Sequence, residues 1–329
     1  MNSNGKPHGH EHGHSHGSLD PGLLSHDKAL WAVKWSFFGL LATAIFQGLV
    51  VAFSHSVALW ADTIHNFADA GTSIPLAVAF MLGKRRPTRR YTYGYGRFED
   101  FAGLLVIVFI FLSALLAGYE SIRRLFHPRE MEHVGVVIAA SLVGFAGNEA
   151  VALFRIRVGR QIASAALVAD GQHARIDGLT SLSVSIGAAG AWLGWNWADP
   201  AVGLVITVVL FHVVWDASKE ILMRLLDGIE PEILEEMEHA ARHVPGVMHV
   251  TEVRAKWIGH KIHAELNVTV GASLSVAQGH EIARQVKHEL LHHVEHLSNA
   301  IIHVDPETAS GEAHHHMEHH DSCSRGHAG

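Results

Sequence analysis

Two stretches of this chain repeat one arrangement of metal-ligating side chains. Asp62-x2-His65-x3-Asp69 and Asp170-x2-His173-x3-Asp177 share the same spacing, and each lies inside a long apolar run. Offsets of three and four residues place all three side chains of each copy on one face of a helix. Two helices meeting through those faces would surround a point with imidazoles and carboxylates. Two His nitrogens and two Asp oxygens make a tetrahedral N/O site of the kind zinc accepts, and two carboxylates cancel its charge. The alternative is a pair of helix-packing clusters that resemble each other by coincidence. That reading has to explain why ionisable residues, rare and usually functional inside membranes, recur at identical spacing.

The elements that must carry these residues follow from composition. Of 329 residues, 48% are hydrophobic and only 17% charged, against about 25% charged in soluble domains. Six apolar segments, at 29–53, 57–82, 100–122, 134–154, 162–192 and 198–222, each approach the roughly 20 residues a spanning helix needs. The two motif copies fall on the second and fifth. They are three spans apart, so the helices that carry them run antiparallel, as in the inverted repeats of secondary transporters with a site near the midplane. An even number of spans puts both termini on one side. Lys84, Arg85, Arg86, Arg89, Arg90 and Arg97 lie between the second and third spans, and Arg155, Arg157 and Arg160 between the fourth and fifth. The positive-inside rule therefore places both tails in the cytoplasm of a multi-pass protein, expected in the cell (inner) membrane. Glu149 and Arg175 are further ionisable residues at membrane depth. Arg175 lies nearly opposite His173 on its helix and is expected to neutralise a carboxylate such as Glu149 rather than to touch metal.

The chain divides into a His-rich tail (1–27), a six-helix transmembrane domain (28–225), a small α+β domain (226–306) and a second His-rich tail (307–329). The small domain reads as a helix at 231–244, strands at 247–257 and 261–270, a helix at 275–296 and a strand at 300–304. In the second strand Ile262, Ala264, Leu266, Val268 and Val270 point inward, and His263, Glu265, Asn267 and Thr269 outward. About eighty residues bury only a modest core, so a partner surface is expected. The tails hold many of the 29 histidines, including His8 to His16 at alternate positions and His314, His315, His316, His319 and His320. Gly/His tracts of this kind are expected to be disordered. They either collect cytosolic metal or are simply solvated. The single cysteine, Cys323, permits no internal disulfide and no cysteine-based zinc site. A net charge of −7 excludes a strongly basic nucleic-acid binder.

Together these residues resemble the cation diffusion facilitator family. The resemblance rests on the paired His-x3-Asp motifs and on the loop Arg86-Pro87-x3-Tyr91-x-Tyr93-Gly94-x-Gly96-Arg97-x-Glu99. Asp199-Pro200 entering the last span, Pro245-Gly246-Val247 and His303-Val304-Asp305-Pro306 complete it, and it covers Lys28 to Pro306. It implies a homodimeric antiporter that exports zinc, or Co2+, Ni2+, Cd2+ or Fe2+, in exchange for protons. It also implies a metallochaperone-like cytoplasmic domain that dimerises. Carried over by position, the transport site is His65, Asp69, His173 and Asp177, with Asp62 and Asp170 as supporting or approach-path residues one turn away. Some family members bind a second metal in the loop after the second span. The matching stretch here carries Tyr91 and Tyr95, and no metal is expected there. A cytoplasmic-domain site is implied by His280, His303 and Asp305, with His249 and His263 as substitutes for histidines replaced here by Thr251 and Asn267.

Two rival classes remain. His288-Glu289-x2-His292 matches the zinc-peptidase pattern, in which two histidines hold zinc and the glutamate is general base. In so His-rich a chain the match is weak, and the small domain has no room for a substrate cleft. A membrane metal sensor that does not transport is the other. Nothing resembling a Walker A loop occurs, so the expected energy source is the proton gradient.

Overall fold

The computed structural model of the protein describes residues 21–54, 71, 73–126, 134–195 and 197–310. Both histidine-rich tails, except for a few residues next to the folded domains, lie outside these residues. So do Asp62, His65 and Asp69 of the first motif copy.

The transmembrane part comprises α1 (Pro21–Ser54), α2 (Ser73–Gly83), α3 (Arg97–Phe126), α4 (Val134–Gln161), α5 (Ala165–Trp192) and α6 (Ala198–Leu225). Among the described residues four helices, α1, α3, α4 and α6, contain a stretch long and apolar enough to cross a membrane. Phe101, Leu105, Leu112 and Leu116 of α3, and Val205 and Val208 of α6, point their apolar side chains outward, as lipid-facing residues do. The fifth predicted span, α5, is as long as α4 at 28 residues. Its polar stripe lowers its hydropathy, and its burial explains how that is tolerated. It packs against α3, α4 and α6, and Asp170, His173, Asp177, Ser181 and Ser185 are all buried. Of the second predicted span, α2 is the described part. Its Leu76 and Phe80 pack with Ala29, Ala32 and Val33 of α1 and Leu167 of α5.

Close approach of α4 and α5 depends on a missing side chain. A Cβ on Gly171 would lie 2.7 Å from Ile156 Cγ1 and 3.0 Å from Arg155 Cβ. Small residues let membrane helices come together in this way, and here the approach brings Arg155 of α4 within reach of Asp170 and Glu149 within reach of Arg175.

The α+β domain follows as α7 (Pro231–Arg242), β1 (His249–Ile258), β2 (Lys261–Val270), α8 (Val276–His293) and β3 (Leu297–Pro306). The sheet order is β1-β2-β3, with β1 antiparallel and β3 parallel to β2. The parallel pair is joined through α8, the crossover such a connection requires. Pro231 starts α7 at a position where its missing N–H costs nothing. Ser275 and Gln278 close a reciprocal capping box at the start of α8. Met237 and Ala241 of α7, Val286 and Leu290 of α8, and Ile262, Ala264, Leu266 and Val268 of β2 form the core. Both helices therefore cover one face of the sheet, as the alternation in β2 predicts. Thr269 departs from it: the sequence places it outward, yet it is buried. It sits in the central strand with His249 and Asp305 in register on either side, and a central strand is shielded from both edges.

The hairpin between β1 and β2 plugs into the membrane domain. Gly259 takes φ +63° at the first position of its two-residue turn, where a type II′ turn favours glycine. Its N–H donates to Asp100 Oδ2 at 3.3 Å. His260 Nδ1 lies 2.7 Å from Glu99 Oε2, and its other ring nitrogen 2.8 Å from Ser25 Oγ. Arg224 donates to the Ala163 carbonyl at 2.7 Å and lies 4.3 Å over the Trp257 ring. A Cβ on Gly259 would stand 2.8 Å from both Gly96 O and Glu99 Oε2. Gly259→Ala is therefore expected to cost about 1–3 kcal/mol of strain and to loosen the hairpin from the membrane domain. Tryptophan-monitored unfolding and proteolysis of the 226–230 linker check this. Wild-type behaviour in both would mean that the turn relaxes without undocking.

Candidate metal centre

Helix α5 carries the described half of the candidate residues. Its 3.6-residue period stacks Asp170, His173 and Asp177 on one face, and its position between α3, α4 and α6 removes them from lipid. His173 and Asp177 are 2% and 3% exposed, with His173 Nδ1 3.7 Å from Asp177 Oδ2. The two thus supply an imidazole and a carboxylate at one point in the bundle. Their counterparts His65 and Asp69, and with them Asp62, lie outside the described residues.

Asp170 faces a different partner. Arg155 Nη1 stands 2.9 Å from Asp170 Oδ2, both side chains essentially without solvent contact. The guanidinium also donates to Ser36 Oγ of α1 at 2.8 Å and to Ser73 Oγ of α2 at 2.5 Å. By sequence Arg155 belongs, with Arg157 and Arg160, to the basic loop between the fourth and fifth spans. The structure corrects this: α4 continues to Gln161, and Arg155 is buried at the junction of α1, α2, α4 and α5. Arg175 pairs with Glu149 as expected, through contacts of 3.0 to 3.2 Å.

The five cytoplasmic-domain candidates are spread along the sheet and α8. His303 Nε2 and Asp305 Oδ1 meet at 2.9 Å on β3. His249 is exposed on β1, opposite Thr269. His263 sits in the row of Lys256 and Asn299, four residues along β2 from Asn267, the neighbour of His303. Burial, with Lys261 and Lys256 close by, holds the His263 imidazole below the ordinary histidine pKa. Those lysines also oppose a bound cation. His280 is exposed near the start of α8. With side chains as they stand, no three His, Cys, Asp or Glu groups among the described residues converge on one ion.

The junction residues Glu99, Asp100, His26 and His260 are a polar cluster that sequence reasoning did not assemble. Glu99 was visible in the loop motif. Its partner is 161 residues away, and no local pattern connects them.

A helical membrane domain with a buried polar helix at its centre, joined to an α-β-β-α-β domain, defines an integral membrane protein whose polar chemistry lies inside the bundle. Residues 33–226 match the family model for the cation efflux transmembrane domain, and residues 229–307 that for the cytoplasmic domain of cation efflux proteins. The "Probable cation efflux system protein" of Mycobacterium tuberculosis is 51% identical over 300 residues, covering 91% of this chain and 90% of that protein. A Bacillus velezensis protein named "Cadmium, cobalt and zinc/H(+)-K(+) antiporter" is 25% identical over 258 residues, 78% of this chain and 82% of its own. The "Manganese efflux system protein MneS" of Bacillus subtilis is 24% identical over 257 residues, 77% of this chain and 87% of its own. The chain belongs to the cation diffusion facilitator family of cation efflux proteins. It is a metal-exporting transporter and not an enzyme, which removes the peptidase reading of His288-Glu289-x2-His292.

Proposed function

We propose that the protein exports zinc, or a closely related divalent ion, from the cytoplasm in exchange for protons, by alternating access around His65, Asp69, His173 and Asp177. The observation that carries this reading is the buried His173–Asp177 pair on α5, whose spacing the sequence repeats at His65 and Asp69. Imidazole with carboxylate favours zinc, cobalt or cadmium over manganese, which prefers all-oxygen ligands. Cytosolic metal binds while the imidazoles are neutral. When the bundle rocks outward, protons compete for the same nitrogens and oxygens and displace the ion. An ordinary imidazole titrates near pH 6.5, so near neutrality the histidines are the groups most easily switched. The exposed face of the sheet, carrying Glu265, Ile301 and His303, is the surface through which a homodimer would form, with both termini cytoplasmic.

Proteoliposomes loaded with zinc-sensitive and pH-sensitive dyes test this. Zinc uptake should be accompanied by proton movement in the opposite direction, and uptake driven by an imposed pH gradient should collapse with a protonophore. Competing zinc, cobalt and cadmium should suppress uptake more than manganese does. Manganese ranking first would reject the ligand assignment, and uptake indifferent to the proton gradient would reject antiport. Binding without any uptake would leave the sensor reading.

A further inference from the structure

The proposed transport site makes no use of the loop between α2 and α3, which concentrates positive charge in a chain whose net charge is −7. From Lys84 to Gly96 the loop contains Lys84, Arg85, Arg86, Arg89 and Arg90 and no acidic residue. Lys84 is paired with Asp27 of α1, and Arg97, where α3 begins, with Asp227. Arg85, Arg86, Arg89 and Arg90 are exposed, and among the described residues none of them has a carboxylate within ion-pair distance.

The loop is held in a defined shape. Thr88 N–H donates to the Tyr91 carbonyl at 3.0 Å, and Tyr91 N–H to Thr88 Oγ1 at 3.1 Å. The backbone therefore turns back on itself with Arg89 and Arg90 at the tip. Its far side rests on the α+β domain, where Tyr93 meets the His263 ring edge to face at 6.0 Å and Lys256 lies 5.3 Å over the Tyr93 ring.

A line of aromatic rings runs from the tip to the membrane. Arg90 lies 5.9 Å from the centre of the Tyr91 ring, Tyr91 lies 5.0 Å from Tyr95, and Tyr95 stacks on Phe98 at 6.2 Å. Phe98 is exposed, one turn before Phe101, where the lipid-facing stripe of α3 begins. The depth of Phe98 follows from the charges around that stripe. Between Asp100 and Glu120 α3 has 19 residues and no charge, a length of about 28 Å at about 1.5 Å per residue, close to the ~30 Å of a hydrocarbon core. Phe101 thus enters the core, and Phe98 with the tyrosines before it stands at headgroup level, where aromatic residues collect. The arginines are carried beside the lipid headgroups on that side.

We propose that the α2–α3 loop binds the acidic phospholipid headgroups of the adjoining leaflet through Arg85, Arg86, Arg89 and Arg90. Guanidinium groups pair with phosphate through parallel hydrogen bonds, and the field of an acidic membrane adds to them. A soluble acidic partner would satisfy the arginines but would leave the aromatic path to the lipid face of α3 unexplained.

The test uses full-length protein carrying Cys323→Ser and Thr92→Cys, so that one fluorophore sits in the loop. The protein is reconstituted in phosphatidylcholine vesicles, and spin-labelled phosphatidylglycerol or spin-labelled phosphatidylcholine is added as quencher. Half-maximal quenching should need at least about fivefold less of the acidic lipid, the gain from one basic residue near an acidic surface, and the difference should shrink in high salt. Changing the four arginines to Gln should abolish the difference, and changing them to Lys should keep it. Lys28→Gln with Lys34→Gln, which removes exposed charge from α1, should leave it unchanged. An unchanged melting temperature shows that each variant folds. Equal quenching by the two lipids, a preference that survives the Gln variant, or one that the α1 variant also removes would overturn the proposal. If the preference survives while the molar mass of the Gln variant falls from dimer to monomer, the arginines serve a second copy of the chain instead. Inorganic phosphate should compete no better than chloride at matched ionic strength; stronger competition would make the loop a free-anion site and overturn the assignment to lipid.

Discussion

Zinc export by the Asp177→Ala protein is expected to fall to background while the protein still inserts and folds. Asp177 is buried on α5 with its carboxylate 3.7 Å from His173 Nδ1. In the proposed site it provides one of the two negative charges that offset the ion. Losing even a group that only supports a ligand costs about 10- to 100-fold in metal affinity, so losing a charged ligand should cost at least the upper end of that range. The fold should not suffer equally, because removing a buried carboxylate removes a desolvated charge rather than an apolar contact. Asp177→Glu keeps the charge but displaces the oxygens and should retain partial activity with an altered ion ranking. Uptake into proteoliposomes, paired with a melting curve on the same preparation, separates the two effects. Export near the wild-type rate in Asp177→Ala and in Asp69→Ala would remove both residues from the site.

How far the sequence led is best judged from particular residues. The alternation from Lys261 to Val270 marks out β2 in full, because a strand covered on one face has period two and few ways to satisfy it. The pairing of Arg175 with a carboxylate such as Glu149 was likewise within reach, being constrained by the cost of charge in lipid. What escaped were contacts between distant segments. Arg155 sits at the edge of an apolar run beside Arg157 and Arg160, and counting positive charges cannot tell a buried guanidinium from a solvated one. Its partners Ser36, Ser73 and Asp170 come from three other helices. Glu99 and His260 meet only because the β1–β2 hairpin docks on the start of α3.

Arg155 carries the second large effect, on stability. Its guanidinium is 1% exposed and Asp170 fully buried, and the ion pair with the two serine hydroxyls joins α1, α2, α4 and α5. Arg155→Met leaves Asp170 as an uncompensated charge in a dry bundle and leaves Ser36 and Ser73 without their donor. Breaking one side of a buried pair typically costs about 3–5 kcal/mol. Replacing the whole pair by apolar residues of similar size is often neutral, because the desolvation cost disappears with the attraction. Arg155→Met should therefore shift chemical unfolding in detergent by that amount, and the double variant Arg155→Met, Asp170→Leu should recover most of it. The same pair of proteins separates two roles for Asp170. A carboxylate already neutralised by a guanidinium at 2.9 Å has little charge left for a passing cation, and the guanidinium beside it repels one. On that reasoning Asp170 acts on the packing of α5 through Arg155 and not on the ion, and the double variant, with apolar packing in place of the pair, should recover zinc export along with stability. A double variant as unstable as Arg155→Met would show that the attraction outweighs the desolvation cost. One that regains stability but stays at background export would place Asp170 on the path of the metal.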